Sequence, residues 1–177
     1  IIEKMPDHEK ANDALGAIFE VHKFRVEAGL IVQDDVAAYF ETLAGKTTGN
    51  LKTNAQATRA AALLFADKSS EALEQFQKAL AENPQARLSS ENQFQYGMTL
   101  LRAGKTEEAL QAFQKQYADN QKNPRESPKG LFGMGQALLK LQKWEDAQTA
   151  FDALSRMPWS PFVLDGQAAL GLGTAKL

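Results

Sequence analysis

The chain has 177 residues, enough for one domain with a hydrophobic core or for a short array of repeats. Its 20 basic and 22 acidic side chains leave a net charge of −2, which argues against a nucleic-acid partner. The absence of cysteine excludes disulfides, thiolate catalysis and cysteine-ligated metal sites.

No apolar run reaches the roughly 20 residues that a membrane-spanning helix needs. The sequence starts at Ile1 without an initiator methionine or a signal-peptide pattern, so we expect any signal or anchor to lie outside it. We therefore expect a soluble part of a longer protein that does not itself insert into a membrane. The compartment, either the cytoplasm or the bacterial periplasm and cell envelope, stays open.

The first 50 residues predict a pair of helices. Apolar residues recur at helical spacing over residues 7–28, where Asp7 can cap the helix and Gly29 can end it. The predicted apolar face of this helix consists of Ala11, Ala14, Leu15, Ile18, Phe19, Val21, Phe24, Val26 and Ala28. A second helix is predicted between Asp34 and Gly45, and residues 45–50 have the composition of a linker.

From about residue 53 onward, four columns of residues repeat three times at intervals of 37 and 38 residues. Each copy begins with a small residue, which is followed by a leucine three positions later. An alanine stands twelve positions after the small residue. A phenylalanine follows that alanine by four positions. The copies are Ala60, Leu63, Ala72 and Phe76; Gly97, Leu100, Ala109 and Phe113; and Gly135, Leu138, Ala147 and Phe151.

These columns have a direct physical reading. The small residues let the two helices of a hairpin approach closely, and the phenylalanine fills the space one turn beyond that contact. A single hairpin of this kind cannot bury both of its faces, so neighbouring hairpins must stack into a superhelix with a concave face. The sequence therefore predicts an all-α solenoid of antiparallel helix hairpins.

The columns resemble those of the tetratricopeptide repeat family, which is typified by Leu-Gly, Tyr, Ala-x-x-x-Phe and a closing proline. The residues that carry the resemblance include Tyr96-Gly97, Gly104, Trp144, Asn83-Pro84 and Asn123-Pro124. The intervals exceed the usual 34 residues of the family. In this respect they are similar to the repeats of bacterial cell-envelope proteins, with longer second helices or longer loops between repeats.

The resemblance implies a right-handed superhelical solenoid and a domain organisation. We expect three repeats at about 53–86, 90–124 and 128–161, together spanning 51–161. Residues 1–50 form an N-terminal hairpin that is a cap or a degenerate repeat. Residues 162–177 form a C-terminal capping helix or the start of a fourth repeat.

The sequence offers no catalytic site, cofactor site or metal site. His8 and His22 lie fourteen residues apart, off the spacing that puts two ligands on one helical turn. The acidic pairs Asp34-Asp35 and Glu107-Glu108 stand at helix starts, where carboxylates favour the helix dipole. The glycines of residues 130–135 follow no strand and lack a phosphate-loop order, so close helix packing explains Gly135 better, while Gly133 could lie on a helix surface.

The resemblance also implies a partner-binding groove, since the first helix of each hairpin lines the concave face in this family. Carrying the positions over residue by residue gives Asn54, Phe65, Phe94, Met98, Leu101, Arg102, Lys129, Phe132, Gln136 and Lys140. The alternative is that the N-terminal helix or a second copy fills the groove, which would make Phe94 and Phe132 part of the core.

We therefore expect a non-enzymatic adaptor or scaffold that binds a peptide or helix of a partner protein in the groove. An apolar ligand with acidic character fits the basic residues around Phe94 and Phe132. Two alternatives stay open: self-association into a homo-oligomeric scaffold, and an accessory helical domain of a larger protein. The sequence does not identify the partner.

Overall fold

The structure, a computed structural model, describes residues 10–123 and 126–157. Every regular element in these ranges is an α-helix, which confirms the all-α class. The helices are α1 (Ala11–Glu27), α2 (Gln33–Gly45), α3 (Gly49–Phe65), α4 (Ser69–Glu82), α5 (Ser90–Arg102), α6 (Thr106–Asn120), α7 (Ser127–Lys140) and α8 (Trp144–Ser155). Within the described ranges, no helix combines the length and apolar character needed to cross a membrane. The helix predicted for 162–177 lies outside them.

The chain divides into two compact units, one up to Thr99 and one from Leu100, and the boundary falls within α5. In the first unit α2 packs along α3 and α3 packs along α4, while α1 contacts both α2 and α3. In the second unit α6 packs along α7 and α7 packs along α8. Within each unit, consecutive helices are therefore neighbours, as stacked hairpins require.

The N-terminal helices end where the sequence predicts. Gly29 has φ +70° and ends α1, and α2 ends at Gly45. The predicted linker of residues 45–50 is wrong for its last two residues, because α3 already begins at Gly49. The predicted cap Asp7 lies outside the described residues.

The α1 helix does not bury the single broad apolar face that its sequence predicts. Ala11, Leu15 and Phe19 are buried, but Val21 is 58% exposed and Phe24 is 67% exposed. Ala28 is exposed as well, so the prediction was wrong for these three residues. They lie on the side of α1 opposite to its contacts with α2 and α3, because each residue advances about 100° around a helix.

The sequence analysis missed that α2 shares the register of the later repeats. Val36 and Phe40 are fully buried in α2 and precede Ala72 and Phe76 by one common interval. Phe40 therefore occupies the phenylalanine column, with valine in place of the alanine. It packs against Phe19 of α1, with ring centroids 6.0 Å apart in an edge-to-face arrangement.

The three hairpin turns share one backbone geometry. The second residue after the end of the first helix has positive φ in each case: Asp67 at 59°, Gly104 at 77° and Gln142 at 59°. The next residue, a lysine each time, donates its N–H to the carbonyl of the leucine column, as in the bond from Lys105 to Leu100 at 2.9 Å. This is the Schellman pattern, which satisfies carbonyls left free at a helix end.

The loop of residues 83–89, between α4 and α5, is held by buried asparagines. The Asn54 side chain donates to the Arg87 carbonyl at 2.9 Å and accepts from the Ser89 N–H at 2.7 Å. Asn92 of α5 donates to the Asn54 side-chain oxygen at 3.1 Å. Because Asn54 and Asn92 are 0% and 3% exposed, water cannot replace these bonds.

We predict that Asn54→Ala lowers the free energy of unfolding by about 2 to 3 kcal/mol, because it removes a fully buried side chain together with its hydrogen bonds to the Arg87 carbonyl, the Ser89 N–H and the Asn92 side chain. Gln56→Ala on the same helix is the matched control, since its side chain makes only a solvent-exposed bond to Glu82. Urea denaturation of both variants measures the difference. Equal losses in the two variants would contradict a structural role for Asn54.

In the second unit, α7 approaches both neighbouring helices at glycines. A Cβ on Gly133 would collide with the Phe113 ring of α6, and a Cβ on Gly135 would collide with the Phe151 ring of α8. A Cβ on Gly130 would lie 2.8 Å from the Cβ of Tyr117. Close packing at Gly135 is therefore confirmed. The surface position considered for Gly133 is wrong, because this residue is buried.

We predict that Gly133→Ala lowers the free energy of unfolding by about 1 to 3 kcal/mol, because the added methyl group overpacks the contact with Phe113. Gly16→Ala in α1 is the matched control, since a Cβ at Gly16 meets nothing within 4 Å. That substitution should stabilise the protein by about 0.5 to 1 kcal/mol through helix propensity alone. Thermal or urea unfolding measures both changes. Stabilisation by both substitutions would contradict the account of α7.

Candidate partner-binding surface

The structure distributes the ten predicted groove residues over three levels of exposure. Asn54, Phe94 and Leu101 are buried, at 0%, 9% and 4% exposure. The half-buried residues are Phe65, Met98, Lys129, Phe132 and Gln136, and the exposed ones are Arg102 and Lys140. Buried side chains of the first group offer no surface to a partner, so a binding surface must be sought among the other seven residues.

In the first unit, the predicted positions mainly serve the core. Phe65 of α3 packs edge to face against Phe19 of α1, with ring centroids 6.5 Å apart. Met98 is partly buried against the same hydrophobic cluster. The N-terminal helix therefore contacts Phe65, which stays half-buried.

In the second unit, four of the predicted residues share one side of α7. Lys129, Phe132, Gln136 and Lys140 follow each other at steps of three and four residues, so they form a stripe along the helix. Each of them is half-buried or exposed. We call these four residues the α7 stripe. The glycines of α7 meet α6 and α8, which leaves the stripe as the more accessible side of the helix.

Phe132 is the apolar centre of the α7 stripe. Its ring packs edge to face against the buried Phe151 ring of α8, with centroids 6.5 Å apart. One part of Phe132 thus belongs to the core of the second unit, and the rest stays accessible to solvent. The contact fixes the orientation of the ring, and a preorganised aromatic side chain is a favourable anchor for a partner.

The basic side chains of the stripe are held by groups of the same unit. Lys129 pairs with Glu126 at 2.8 Å, one turn earlier on the chain. The Lys140 ammonium donates to the Leu101 carbonyl at 3.1 Å, in the last turn of α5. A cation at a helix C-terminus is favourable because the carbonyl end of the helix dipole is negative. Lys140 keeps further N–H donors and stays exposed.

The described residues contain no group of three or more histidine, cysteine or acidic side chains that could hold a metal ion. His22 is half-buried in α1 and contacts Tyr39, with ring centroids 4.6 Å apart and the rings tilted by 43°. Burial lowers the pKa of His22, and the nearby Arg25 charge lowers it further. The other histidine, His8, lies outside the described residues.

Sequence reasoning missed one exposed surface. Large apolar side chains stand exposed at the N-terminal end of the first unit, namely Val21, Phe24, Leu30, Val32 and Tyr39. The available signal was the width of the apolar face of α1, which extends farther around the helix than one packed side can use.

Comparison with known families supports the repeat architecture. A family model described as "Tetratricopeptide repeat" matches residues 57–124 and 132–176, which together make up more than half of the chain. A comparison with curated proteins found no match.

A solved structure supports the same conclusion. It is the crystal structure of a Podosopora anserina protein described as a kinesin light chain with nearly identical TPR-like repeats. Its TM-score to this chain is 0.69, the match covers 95% of this chain and 88% of the other, and the two sequences are 15% identical. At that identity the likeness shows the fold alone, and it confirms the predicted solenoid of helix hairpins.

Proposed function

The chain belongs to the tetratricopeptide repeat family and is a protein-interaction module, and on this premise we propose that it is a non-enzymatic adaptor that recruits a partner protein through the α7 stripe. Proteins built from stacked hairpins of this kind present extended surfaces for partners. The proposed surface contains fewer residues than the groove predicted from the sequence, because several of the groove residues are buried.

The observation that carries the proposal is the placement of Phe132 among polar and basic neighbours. The ring is half-buried and fixed against Phe151, while Gln136 and Lys140 follow it on the same side of α7. Interfaces are typically built around such an aromatic anchor with a polar rim. Trp144 is the exposed large apolar side chain in the described part of this unit, and it lies on α8 outside the stripe.

The chemistry of the stripe selects the class of partner. Lys129 and Lys140 place two ammonium groups on either side of Phe132 along the helix. A peptide or helix that inserts an apolar side chain against Phe132 and places carboxylates beside it would complement both properties. The proposed ligand is therefore an apolar segment flanked by aspartate or glutamate.

We predict that the double substitution Gln136→Glu with Lys140→Glu weakens binding of such a segment by at least about tenfold at low salt, because it reverses the charge beside Phe132. Gln114→Glu with Lys115→Glu is the matched control, since it makes the same two changes at exposed positions of α6 in the same unit. Phe94→Ala is unsuitable as a test, because it removes a buried ring and lowers stability.

The measurement uses peptide arrays that vary the apolar residue and its acidic flanks, followed by affinity titration of the best ligands. Circular dichroism shows that each variant keeps its helices. Equal binding by the stripe variant and the α6 control would overturn the proposal. So would light scattering that shows concentration-dependent association abolished by the stripe variant, because self-association would then be the function of this surface.

A further inference from the structure

The α1 helix has two apolar sides, and only one of them belongs to the core. Ala11, Leu15 and Phe19 face α2 and α3 and are at most 2% exposed. The other side carries Ala17, Val21, Phe24 and Ala28, all of which are exposed. Their spacing alternates between four and three residues, which is the spacing of a seam that packs against one other helix. We call these four residues the α1 seam.

The end of α1 extends this seam. Gly29 adopts φ +70°, and the Leu30 N–H bonds back to the Arg25 carbonyl at 2.9 Å. In this Schellman arrangement the residue after the glycine lies against the last turn of the helix, near Phe24. Leu30 is nevertheless 68% exposed, and Phe24 is 67% exposed. Both side chains therefore expose apolar surface near the end of α1.

An uncovered apolar seam is unusual on a helix surface. Contiguous exposed apolar side chains typically mark an interaction site. Elsewhere in the chain, α2 covers one side of α3 and α6 covers one side of α7. Among the described residues, no helix covers the α1 seam. Its exposure and its spacing together indicate that it accepts a helix.

The charges beside the seam identify the chemistry of that helix. Asp13, Glu20 and Glu27 recur every seven residues and so line one edge of the seam. Asp13 and Glu20 pair with Lys10 and Lys23 on the same helix, at 3.5 Å and 2.8 Å. Surface pairs of this kind contribute little stability, so they can be exchanged for pairs with a partner.

A second copy of the chain fits this edge poorly. Two antiparallel α1 helices would bring the acidic edges together, which is repulsive. Two parallel helices would place the acidic edge beside the opposite edge of the seam, where Ile18 and Arg25 offer one positive charge. A foreign helix with a row of lysines or arginines would instead meet all three carboxylates.

We propose that the α1 seam docks an amphipathic helix of another protein, with apolar residues at alternating three- and four-residue spacing and a basic edge that pairs with Asp13, Glu20 and Glu27. This site lies in the first unit and is separate from the α7 stripe. The protein would then bind two different classes of segment, one basic and one acidic. A negative result for one of the two proposed sites does not bear on the proposal for the other.

The test uses a synthetic helical peptide of three heptads with leucine at the seam positions and lysine at the flanking positions, and a second peptide with glutamate in place of lysine. Fluorescence anisotropy measures binding to the full chain. We expect binding of the lysine peptide and at least about tenfold weaker binding to Phe24→Asp. Trp144→Asp, which removes another exposed aromatic ring, should stay within about twofold of the wild type.

Charge reversal separates specific docking from general attraction to an acidic protein. Glu20→Lys with Glu27→Lys should weaken binding of the lysine peptide and strengthen binding of the glutamate peptide. Glu71→Lys with Glu74→Lys on α4 changes the net charge equally and should change neither affinity appreciably. The proposal fails if the lysine peptide does not bind or if both charge reversals act alike. A wild-type dimer in sedimentation that Phe24→Asp dissociates would also overturn it, because the occupant would then be a second copy.

Discussion

The second unit depends on the close approach of α7 to its two neighbours, which the glycines of α7 permit. Phe113 lies over Gly133 on one side of the helix, and Phe151 lies over Gly135 on the other. Glycine within a helix is unfavourable by about 1 kcal/mol relative to alanine. The arrangement persists because two fully buried rings fill the space that the missing methyl groups leave.

The same approach of helices determines which side of α7 can meet a partner. With the glycine sides against α6 and α8, the α7 stripe is the side that carries the exposed Lys140 and the half-buried Phe132. Phe132 shares its ring between the core and this surface, since it packs against Phe151. The packing of the repeat and the proposed recognition of a ligand therefore involve one continuous set of aromatic contacts.

The hairpins were predictable from the sequence because their determinants are local. In each hairpin, the leucine of the column also supplies the carbonyl that accepts the N–H of Lys68, Lys105 or Lys143. The position of Gly133 was not predictable in this way, because its neighbour Phe113 belongs to the preceding hairpin. A glycine on a helix surface and a glycine beneath a ring from another hairpin have the same local sequence.

The candidate surface was predicted less completely than the fold. The α7 positions of the stripe came from the resemblance to the repeat family, and in the structure they are half-buried or exposed. Asn54 was assigned to the groove, yet its partners include Arg87, 33 residues away, in a loop with no regular pattern. The two apolar sides of α1 merged into one predicted face, because periodicity gives the width of a face and not the number of helices that cover it. Phe24 shows this most directly.

A double-mutant cycle between Gly135 and Phe151 tests the central claim, that α7 packs against its neighbours through missing methyl groups beneath aromatic rings. The free energies of unfolding of Gly135→Ala, Phe151→Leu and the double variant are measured against the wild type. The account predicts that the leucine makes room for the alanine, so the double variant is more stable than additivity predicts, by about 1 kcal/mol or more. Additive losses, within about 0.5 kcal/mol, would contradict it.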